Sequence, residues 1–226
     1  MKVVVFDLDD TLYEEITYVQ SGFRAAARDI SGVLGVPEQE LFDRMWNVLM
    51  REGRGKVFDT VVSGFRGRPV KRLVRRALAV YRLHEPDIAL AEDAEYALDR
   101  LTKAGMPVYI VTDGNKLVQE RKIKALGLDK RTSGVYVTHR YGVRHAKPSP
   151  YCFLKICERE RVNPRDVVYV GDNPNKDFVG IKPLGFRTIR IVRGAWRDAA
   201  MPAEYEAEAA VRDLKEIFDV FRGWRE

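Results

Sequence analysis

Three acidic residues follow the first apolar segment of the chain, in the stretch VVVFDLDDTLY at residues 3–13. Carboxylates this close in sequence repel one another and resist losing water, so we expect a positive charge beside them. If the chain is still extended here, Asp7 and Asp9 point to one side and Asp10 to the other. Asp7 and Asp9 are therefore candidates for one functional site, whereas Asp10 and Thr11 are assigned to the turn that follows.

Polar groups also follow two later apolar segments, in the stretches VTDGN at residues 111–115 and VGDNPNKD at residues 170–177. A lysine lies between them in AKPSP at residues 146–150. Ligands of open α/β sheets bind beyond the carboxyl ends of the strands, so we expect these groups to meet at one edge of a sheet. The candidate residues are Asp7, Asp9, Thr112, Lys147, Asp172 and Asp177.

This candidate set is rich in carboxylate oxygens and contains no His or Cys. Such hard ligands suit Mg²⁺, which keeps several waters and is typically held by one or two carboxylates together with a substrate phosphate. The sequence therefore predicts that a magnesium ion, assisted by Lys147, supplies the positive charge.

Short apolar segments alternate with helical patterns from about residue 90 onward. This alternation predicts an α/β fold in which helices cover both faces of a Rossmann-like parallel sheet, and the opening segment adds a strand of the same kind. The predicted strands span residues 2–6, 107–111, 135–138, 167–171 and 187–192. The predicted helices in this part of the chain span residues 92–104, 115–126, 150–161, 176–184 and 208–222.

The segment between the first and second predicted strands is helical in character, with predicted helices at residues 18–34, 38–52 and 69–83. In the last of these, apolar residues recur at the spacing of one helix face and basic residues occupy the other face. We therefore predict a core domain formed by residues 1–14 and 90–226. An inserted α-helical domain, called the cap below, would comprise residues 15–89.

The excess of positive charge is confined to residues 51–82, which carry ten Lys and Arg against two acidic residues. A solvated helical face is the first interpretation of such a segment. Alternatively, the segment attracts a substrate that carries extra anionic groups. Contact with nucleic-acid phosphates ranks last, because the sequence has no signature of a nucleic-acid-binding fold.

The sequence has no apolar stretch long enough to span a membrane, and its N-terminus lacks the pattern of a signal peptide. We expect a soluble, cytoplasmic protein without membrane partners, in which Cys152 and Cys157 are reduced. An apolar surface on the cap would be compatible with a homodimer.

The stretches DLDDT, VTDG, AKPSP and GDNPNKD resemble, in order and approximate spacing, the four motifs of the haloacid dehalogenase-like superfamily. The helical insertion resembles the type 1 cap of that family. Each stretch alone is an ordinary turn or helix start, but independent turns have no reason to reproduce one ordered set. The resemblance implies a phosphatase that transfers a phosphoryl group through an aspartyl-phosphate, with Mg²⁺ as cofactor.

The resemblance also implies roles for the acidic residues. Asp7 would be the nucleophile, and Asp9 the general acid and then the general base. The metal ligands would be Asp7, the backbone carbonyl of Asp9, and Asp172, while Asp177 would orient a metal-bound water.

The substrate-binding residues implied by the resemblance lie in the second and third motifs. Thr112 would donate a hydrogen bond to a phosphoryl oxygen, with Asp113 and the backbone N–H of Gly114 beside it. Lys147 would neutralise charge on the nucleophile and on the phosphoryl group.

Asp9 favours phosphate-ester hydrolysis, because relatives that cleave carbon–halogen bonds or phosphonates lack an acid at that position. The expected substrate is a small phosphorylated metabolite. A phosphomutase would carry the same motifs, and a non-catalytic regulatory or nucleic-acid-binding module could retain the fold. Both alternatives stay open at this point.

Overall fold

The computed structural model describes residues 1–67 and 70–224 of the 226-residue chain. Its strands are β1 (Val3–Phe6), β2 (Val108–Thr112), β3 (Gly134–Val137), β4 (Val167–Gly171), β5 (Arg187–Ile191) and β6 (Ala209–Val211). Within the described part of the chain these six strands form one sheet in the order β3-β2-β1-β4-β5-β6, and each neighbouring pair is parallel. The parallel sheet confirms the α/β fold class that the sequence predicts.

The helices connect these strands and form the insertion after β1. They are α1 (Glu15–Leu34), α2 (Glu38–Glu52), α3 (Val57–Arg66), α4 (Lys71–Leu83), α5 (Glu92–Lys103), α6 (Lys116–Ala125), α7 (Leu128–Arg131), α8 (Tyr151–Glu160) and α9 (Ile217–Gly223). No helix in the described part of the chain is both long and apolar enough to cross a membrane.

Strand β1 lies in the middle of the sheet, between β2 and β4. All four of its residues are buried, and because their side chains alternate between the two faces, both faces of the sheet are covered here. On one face, Val3 and Val5 belong to the same apolar cluster as Phe153 and Ile156 of α8. The acidic residues that follow β1 are therefore attached to a fixed, buried strand.

The chain divides into two compact units, Met1–Glu15 with Ala89–Glu226, and Ile16–Ile88. The first unit contains the sheet. The second contains α2, α3, α4 and nearly all of α1, and it has an apolar core of its own that includes Phe23, Ile30 and Met45. On α4, Leu73 and Ala77 are buried while the basic residues between them are exposed, which is the amphipathic pattern read from the sequence.

Several predicted helix bounds differ from the structure. The first helix begins at Glu15 rather than at residue 18, and α4 begins at Lys71; residue 69, the predicted start of that helix, lies outside the described residues. Helix α3 was not predicted, although Phe58, Val61, Val62 and Phe65 recur at helical spacing. The missed pattern is short and flanked by glycines, which obscured it.

Of two helices predicted near the C-terminus, one is wrong and the other is correct only in its second half. Residues 176–184 form turns, with 3₁₀ geometry only at Lys182–Leu184. An α-helix is disfavoured there because Pro183 lacks an N–H group and the side chain of Asp177 is drawn into the interior. In the predicted helix 208–222, the first residues instead form β6 along the edge of β5, and helix α9 begins only at Ile217.

Candidate active site

The carboxyl ends of three adjacent strands position polar groups at one edge of the sheet. Asp7 follows β1, Thr112 ends β2 and Asp172 follows β4. The N–H of Asp7 donates to the carbonyl oxygen of Val170 at 2.8 Å, which continues the pairing of β1 with β4 past the end of the strand. Because the strands are parallel, all three residues lie at the same edge, where ligands of such sheets bind.

Lys147 joins two of the acidic residues at this edge. Its Nζ lies 2.9 Å from Asp7 Oδ1 and 2.7 Å from Asp177 Oδ1. It also donates to the hydroxyl of Tyr169 at 2.9 Å, and that hydroxyl donates to Asp177 Oδ1 at 3.1 Å. All four residues are buried, so this ammonium and its two carboxylates compensate one another without bulk water.

The backbone around Lys147 is fixed from two sides. Its N–H donates to Asp113 Oδ1 at 3.0 Å, and the same oxygen accepts from Thr138 Oγ1 at 2.7 Å. On the other side, Gly180 passes so close to Pro148 that a Cβ on residue 180 would lie 1.7 Å from the Pro148 carbonyl oxygen. The loops after β2 and β4 therefore determine where the lysine side chain can reach.

The carboxylates of Asp7, Asp172 and Asp177 form a buried cluster. One oxygen of each lies within 4.8 Å of the corresponding oxygens of the other two. The ammonium of Lys147, which is paired with Asp7 and Asp177, does not by itself balance three carboxylates. Oxygen ligands of this kind suit Mg²⁺, so the chemistry of the donor set fits the ion expected from the sequence.

The crowding of these groups changes their acidity. Burial raises the pKa of Asp7 to about 6 despite the charge of Lys147. Burial, together with the negative charges of Asp7 and Asp177, raises the pKa of Asp172 to about 9. Burial acts to lower the pKa of Lys147, but Asp177 and Asp7 outweigh it and hold that pKa well above its usual value. A divalent cation would relieve the repulsion among the carboxylates.

Among the described residues, Asp9 is not part of the cluster formed by the carboxylates of Asp7, Asp172 and Asp177. Its Oδ1 lies 2.7 Å from Lys122 Nζ and also accepts from the hydroxyl of Tyr13, while its Oδ2 accepts from Gln119 Nε2 at 2.8 Å. Burial acts to raise the pKa of Asp9, but the charge of Lys122 and the hydrogen bonds from Lys122, Tyr13 and Gln119 outweigh it, so the pKa is lowered. These contacts favour the ionised form of the carboxylate in the free protein.

Gln119 also reaches Thr112, because its Nε2 donates to Thr112 Oγ1 at 2.7 Å. The turn between them contains Gly114 at a φ of +127°, a backbone conformation that favours glycine. A Cβ on residue 114 would contact the amide carbon of Gln119 at 3.4 Å. The turn after β2 and the first part of α6 therefore pack closely together.

Asp10 and Thr11 lie in the turn to which the sequence assigned them. Asp10 Oδ1 accepts from the N–H of Glu15 at 2.8 Å, which satisfies a donor at the start of α1. Thr11 additionally contacts the carboxylate cluster, since its Oγ1 lies 3.5 Å from Asp172 Oδ1.

Sequence reasoning missed Gln119, Lys122, Tyr169 and Lys176. A signal existed for the first two, because the helical period places residues 119 and 122 on the same buried face of α6 as Ile123, and a buried lysine is rarely without a partner. Lys176 lies in the fourth motif and donates to Asp113 Oδ2 at 3.1 Å. Tyr169 is one of several aromatic residues in buried strands, and nothing in the sequence distinguishes it.

Comparison with known proteins gives a family match over most of the chain. A family model described as haloacid dehalogenase-like hydrolase matches residues 1–185. A protein named glyceraldehyde 3-phosphate phosphatase from Methanopyrus kandleri is 31% identical, over 88% of this chain and 87% of that protein. A protein of the same name from Methanocaldococcus jannaschii is 26% identical, over 98% of this chain and 97% of that protein.

Solved structures show the same architecture. The crystal structure of a HAD phosphatase from Thermococcus onnurineus is 26% identical and superposes with a TM-score of 0.63, covering 99% of both chains. The 2-haloacid dehalogenase of Pseudomonas syringae superposes with a TM-score of 0.66 at 24% identity, again covering 99% of both chains, and it shows likeness of fold alone.

Proposed function

Because this chain belongs to the haloacid dehalogenase-like hydrolase family, and several of its curated relatives are named phosphatases, we propose that it hydrolyses a small phosphorylated metabolite in a Mg²⁺-dependent reaction. The chain is a phosphoric monoester hydrolase, and the proposal concerns the cofactor, the intermediate and the substrate. One observation carries it: Lys147 Nζ lies 2.9 Å from Asp7 Oδ1 beside the cluster that Asp7 forms with Asp172 and Asp177.

In the first half-reaction, a carboxylate oxygen of Asp7 attacks phosphorus and forms an aspartyl-phosphate. The bond between phosphorus and the ester oxygen breaks, and the departing alkoxide takes a proton from Asp9, which must first be protonated when substrate binds, because its contacts favour the ionised form in the free protein. Lys147 and the hydroxyl of Thr112 compensate the charge on the phosphoryl oxygens, together with the N–H of Gly114. The pairing of the Lys147 ammonium with the Asp7 carboxylate supports this role of Lys147, because it places the positive charge beside the attacking oxygen.

In the second half-reaction, water attacks the phosphorus of the aspartyl-phosphate and Asp9 accepts the proton of that water. The products are inorganic phosphate and the regenerated carboxylate of Asp7. The pairing of Asp9 Oδ1 with Lys122 Nζ at 2.7 Å favours the ionised carboxylate, which is the form that can accept a proton.

Asp7, Asp172 and the backbone carbonyl of Asp9 would hold Mg²⁺, with Asp177 beside them. When bound, the ion supplies positive charge that reduces the repulsion between the phosphoryl group and the carboxylates. Asp177 contributes further by holding Lys147, to which its Oδ1 is paired at 2.7 Å.

The proposed substrate is a small phosphorylated metabolite, with glyceraldehyde 3-phosphate as the first compound to test. Several relatives carry that substrate in their names, while others are named ribulose-1,5-bisphosphate 5-phosphatase and phosphoserine phosphatase. We further propose that the unit Ile16–Ile88 serves as the cap of the family. The phosphomutase and nucleic-acid-binding alternatives are not favoured, since these relatives are named phosphatases.

The proposal is tested by measuring hydrolysis of p-nitrophenyl phosphate in Mg²⁺ and in EDTA, followed by a panel of phosphorylated metabolites. We expect activity in Mg²⁺, little in EDTA, and a loss of at least about 10³-fold in Asp7→Asn. Asp129→Asn, at an exposed position of α7, is the matched control and keeps full activity. Metal-independent turnover, or full activity in Asp7→Asn, would refute the proposal; isomerised sugar phosphate without free phosphate would indicate a mutase.

A further inference from the structure

The side chain of Lys122 is 3% exposed, yet Lys122 has no place in the four motifs of the family. A buried ammonium is unfavourable unless an anion accompanies it. Its nearest carboxylate is that of Asp9 at 2.7 Å, and Glu15 Oε1 lies at 3.8 Å. The Asp9 side chain is 23% exposed, so Lys122 pairs with it from the interior while part of that side chain stays accessible.

Gln119 lies one helical turn before Lys122 on the same buried face of α6. A primary amide has two N–H hydrogens, and Nε2 of Gln119 has two acceptors, Asp9 Oδ2 at 2.8 Å and Thr112 Oγ1 at 2.7 Å. Each hydrogen therefore has its own acceptor. The amide links a residue of the first motif to a residue of the second.

The bond from Gln119 also decides the direction in which the Thr112 hydroxyl points its hydrogen. Since Thr112 Oγ1 accepts from Gln119, its own hydrogen must be directed elsewhere. Its acceptor in the structure is the carbonyl oxygen of Asp113 at 3.4 Å, a long hydrogen bond. An incoming phosphoryl oxygen, which carries negative charge, would be a stronger acceptor than this carbonyl.

We propose that Gln119 and Lys122 are positioning residues of the phosphatase site: Lys122 aligns the Asp9 carboxylate, and Gln119 aligns both Asp9 and the Thr112 hydroxyl. We assign neither residue a contact with the substrate, and each acts through Asp9 or Thr112. The inference rests on the proposed function for the roles of Asp9 and Thr112. It adds to the family's four motifs a helix face that orients the first two of them.

The first test is a double-mutant cycle with Lys122→Met and Asp9→Asn, measured as kcat/KM for p-nitrophenyl phosphate in Mg²⁺. A residue that acts through Asp9 loses its effect when Asp9 is changed. We expect Lys122→Met to lower kcat/KM about tenfold or more in the native background and less than about twofold in the Asp9→Asn background. Similar losses in both backgrounds, or no loss in either, would overturn the role of Lys122.

Two further variants support this test, one as a control and one as a replacement. Lys124→Met changes an exposed lysine of the same helix and should leave kcat/KM unchanged. If Lys122→Met does not fold, as judged by circular dichroism, Lys122→Gln takes its place in the cycle because it keeps a hydrogen-bond donor at this position.

The second test needs no turnover and measures binding of inorganic phosphate, in Mg²⁺, by calorimetry. We expect Gln119→Leu to weaken binding about fivefold or more in the native background and to have no effect in the Thr112→Val background. Equal effects in both backgrounds, or no phosphate binding by the native protein, would overturn the role of Gln119. If the native protein binds phosphate but hydrolyses no ester, the proposed function fails while this test still decides the inference.

Discussion

Lys147 Nζ lies between Asp7 Oδ1, at 2.9 Å, and Asp177 Oδ1, at 2.7 Å, and all three side chains are buried. Asp7 follows β1 and Asp177 lies in the loop after β4, so one ammonium ties together the ends of two neighbouring strands. The same ammonium faces the proposed nucleophile. Stability and activity therefore depend on one shared ion-pair arrangement, and substitutions here should change both.

Lys147→Met removes the shared ammonium and leaves the carboxylates of Asp7 and Asp177 buried without it. We expect the free energy of unfolding to fall by about 3–5 kcal/mol, because breaking a buried ion pair exposes the full desolvation penalty of its partner. Turnover should fall about 10²-fold or more. Urea denaturation and p-nitrophenyl phosphate hydrolysis measure the two effects.

Lys176→Met is the matched control for this change. The Lys176 side chain is 32% exposed, and its pair with Asp113 is partly solvated. Its loss should cost no more than about 1 kcal/mol. A loss for Lys147→Met no larger than that for Lys176→Met would contradict the prediction.

The metal-free protein should lose stability as the pH rises. Folding raises the pKa of Asp7 from 3.8 to about 6 and that of Asp172 from 3.8 to about 9. From pH 3.8 to about 6 for Asp7, and from pH 3.8 to about 9 for Asp172, the folded state binds more protons than the unfolded state. The free energy of unfolding therefore decreases with rising pH, by up to about 1.4 kcal/mol per pH unit for each group. Thermal unfolding in EDTA at several values between about pH 5 and pH 9 measures the slope.

Asp172→Asn tests the origin of this slope, because the amide cannot ionise and does not repel Asp7. We expect the variant to show a flatter pH dependence in EDTA and to respond less than the native protein to added Mg²⁺. An unchanged slope in Asp172→Asn would show that other groups cause the pH dependence.

Asp113→Asn should weaken the support of Lys147. Asp113 accepts from the N–H of Lys147 and from Thr138 through Oδ1, and from Lys176 through Oδ2. An asparagine keeps the first oxygen but turns an amide NH₂ toward the Lys176 ammonium, so we expect a loss of about 1–3 kcal/mol in the free energy of unfolding. In a Lys176→Met background the loss should shrink, and equal losses in both backgrounds would contradict this explanation.

Gly180→Ala should disturb both stability and activity, because the added Cβ would lie 1.7 Å from the carbonyl oxygen of Pro148, next to Lys147. Backbone must move to relieve this overlap, at a cost of about 1–3 kcal/mol or more. Gly64→Ala is the contrasting change, since a Cβ there meets nothing within 4 Å and the residue lies inside α3. We expect Gly64→Ala to stabilise the protein by about 0.5–1 kcal/mol without changing turnover.

Five of the six described strands were predicted to within one residue, because most of them are continuous apolar segments bounded by turn formers, as in VVYVG at β4. Strand β6 was missed, since its residues were assigned to a helix. The acidic and hydroxyl groups of the motifs lie at the ends of these strands or directly after them. The sequence alone therefore predicts that these groups meet at one edge of the sheet. The helix predicted at 176–184 failed because the side chain of Asp177 turns inward to Lys147, a contact between loops 30 residues apart in sequence. The local residue pattern from which the helix was predicted carries no information about such a contact.

Sequence alone determined five of the six described strands, most of the longer helices and the chemistry of the motifs, since apolar period, turn residues and carboxylate spacing are properties of short segments. Tertiary structure decided which groups meet: the strand order β3-β2-β1-β4-β5-β6, the pairing of Lys147 with both Asp7 and Asp177, and the placement of Gln119 and Lys122 against Asp9. These arrangements depend on how α6 and the loops pack against the finished sheet. The physical reason is that burial and ion pairing are set by all neighbours of a side chain at once, most of which are distant along the chain.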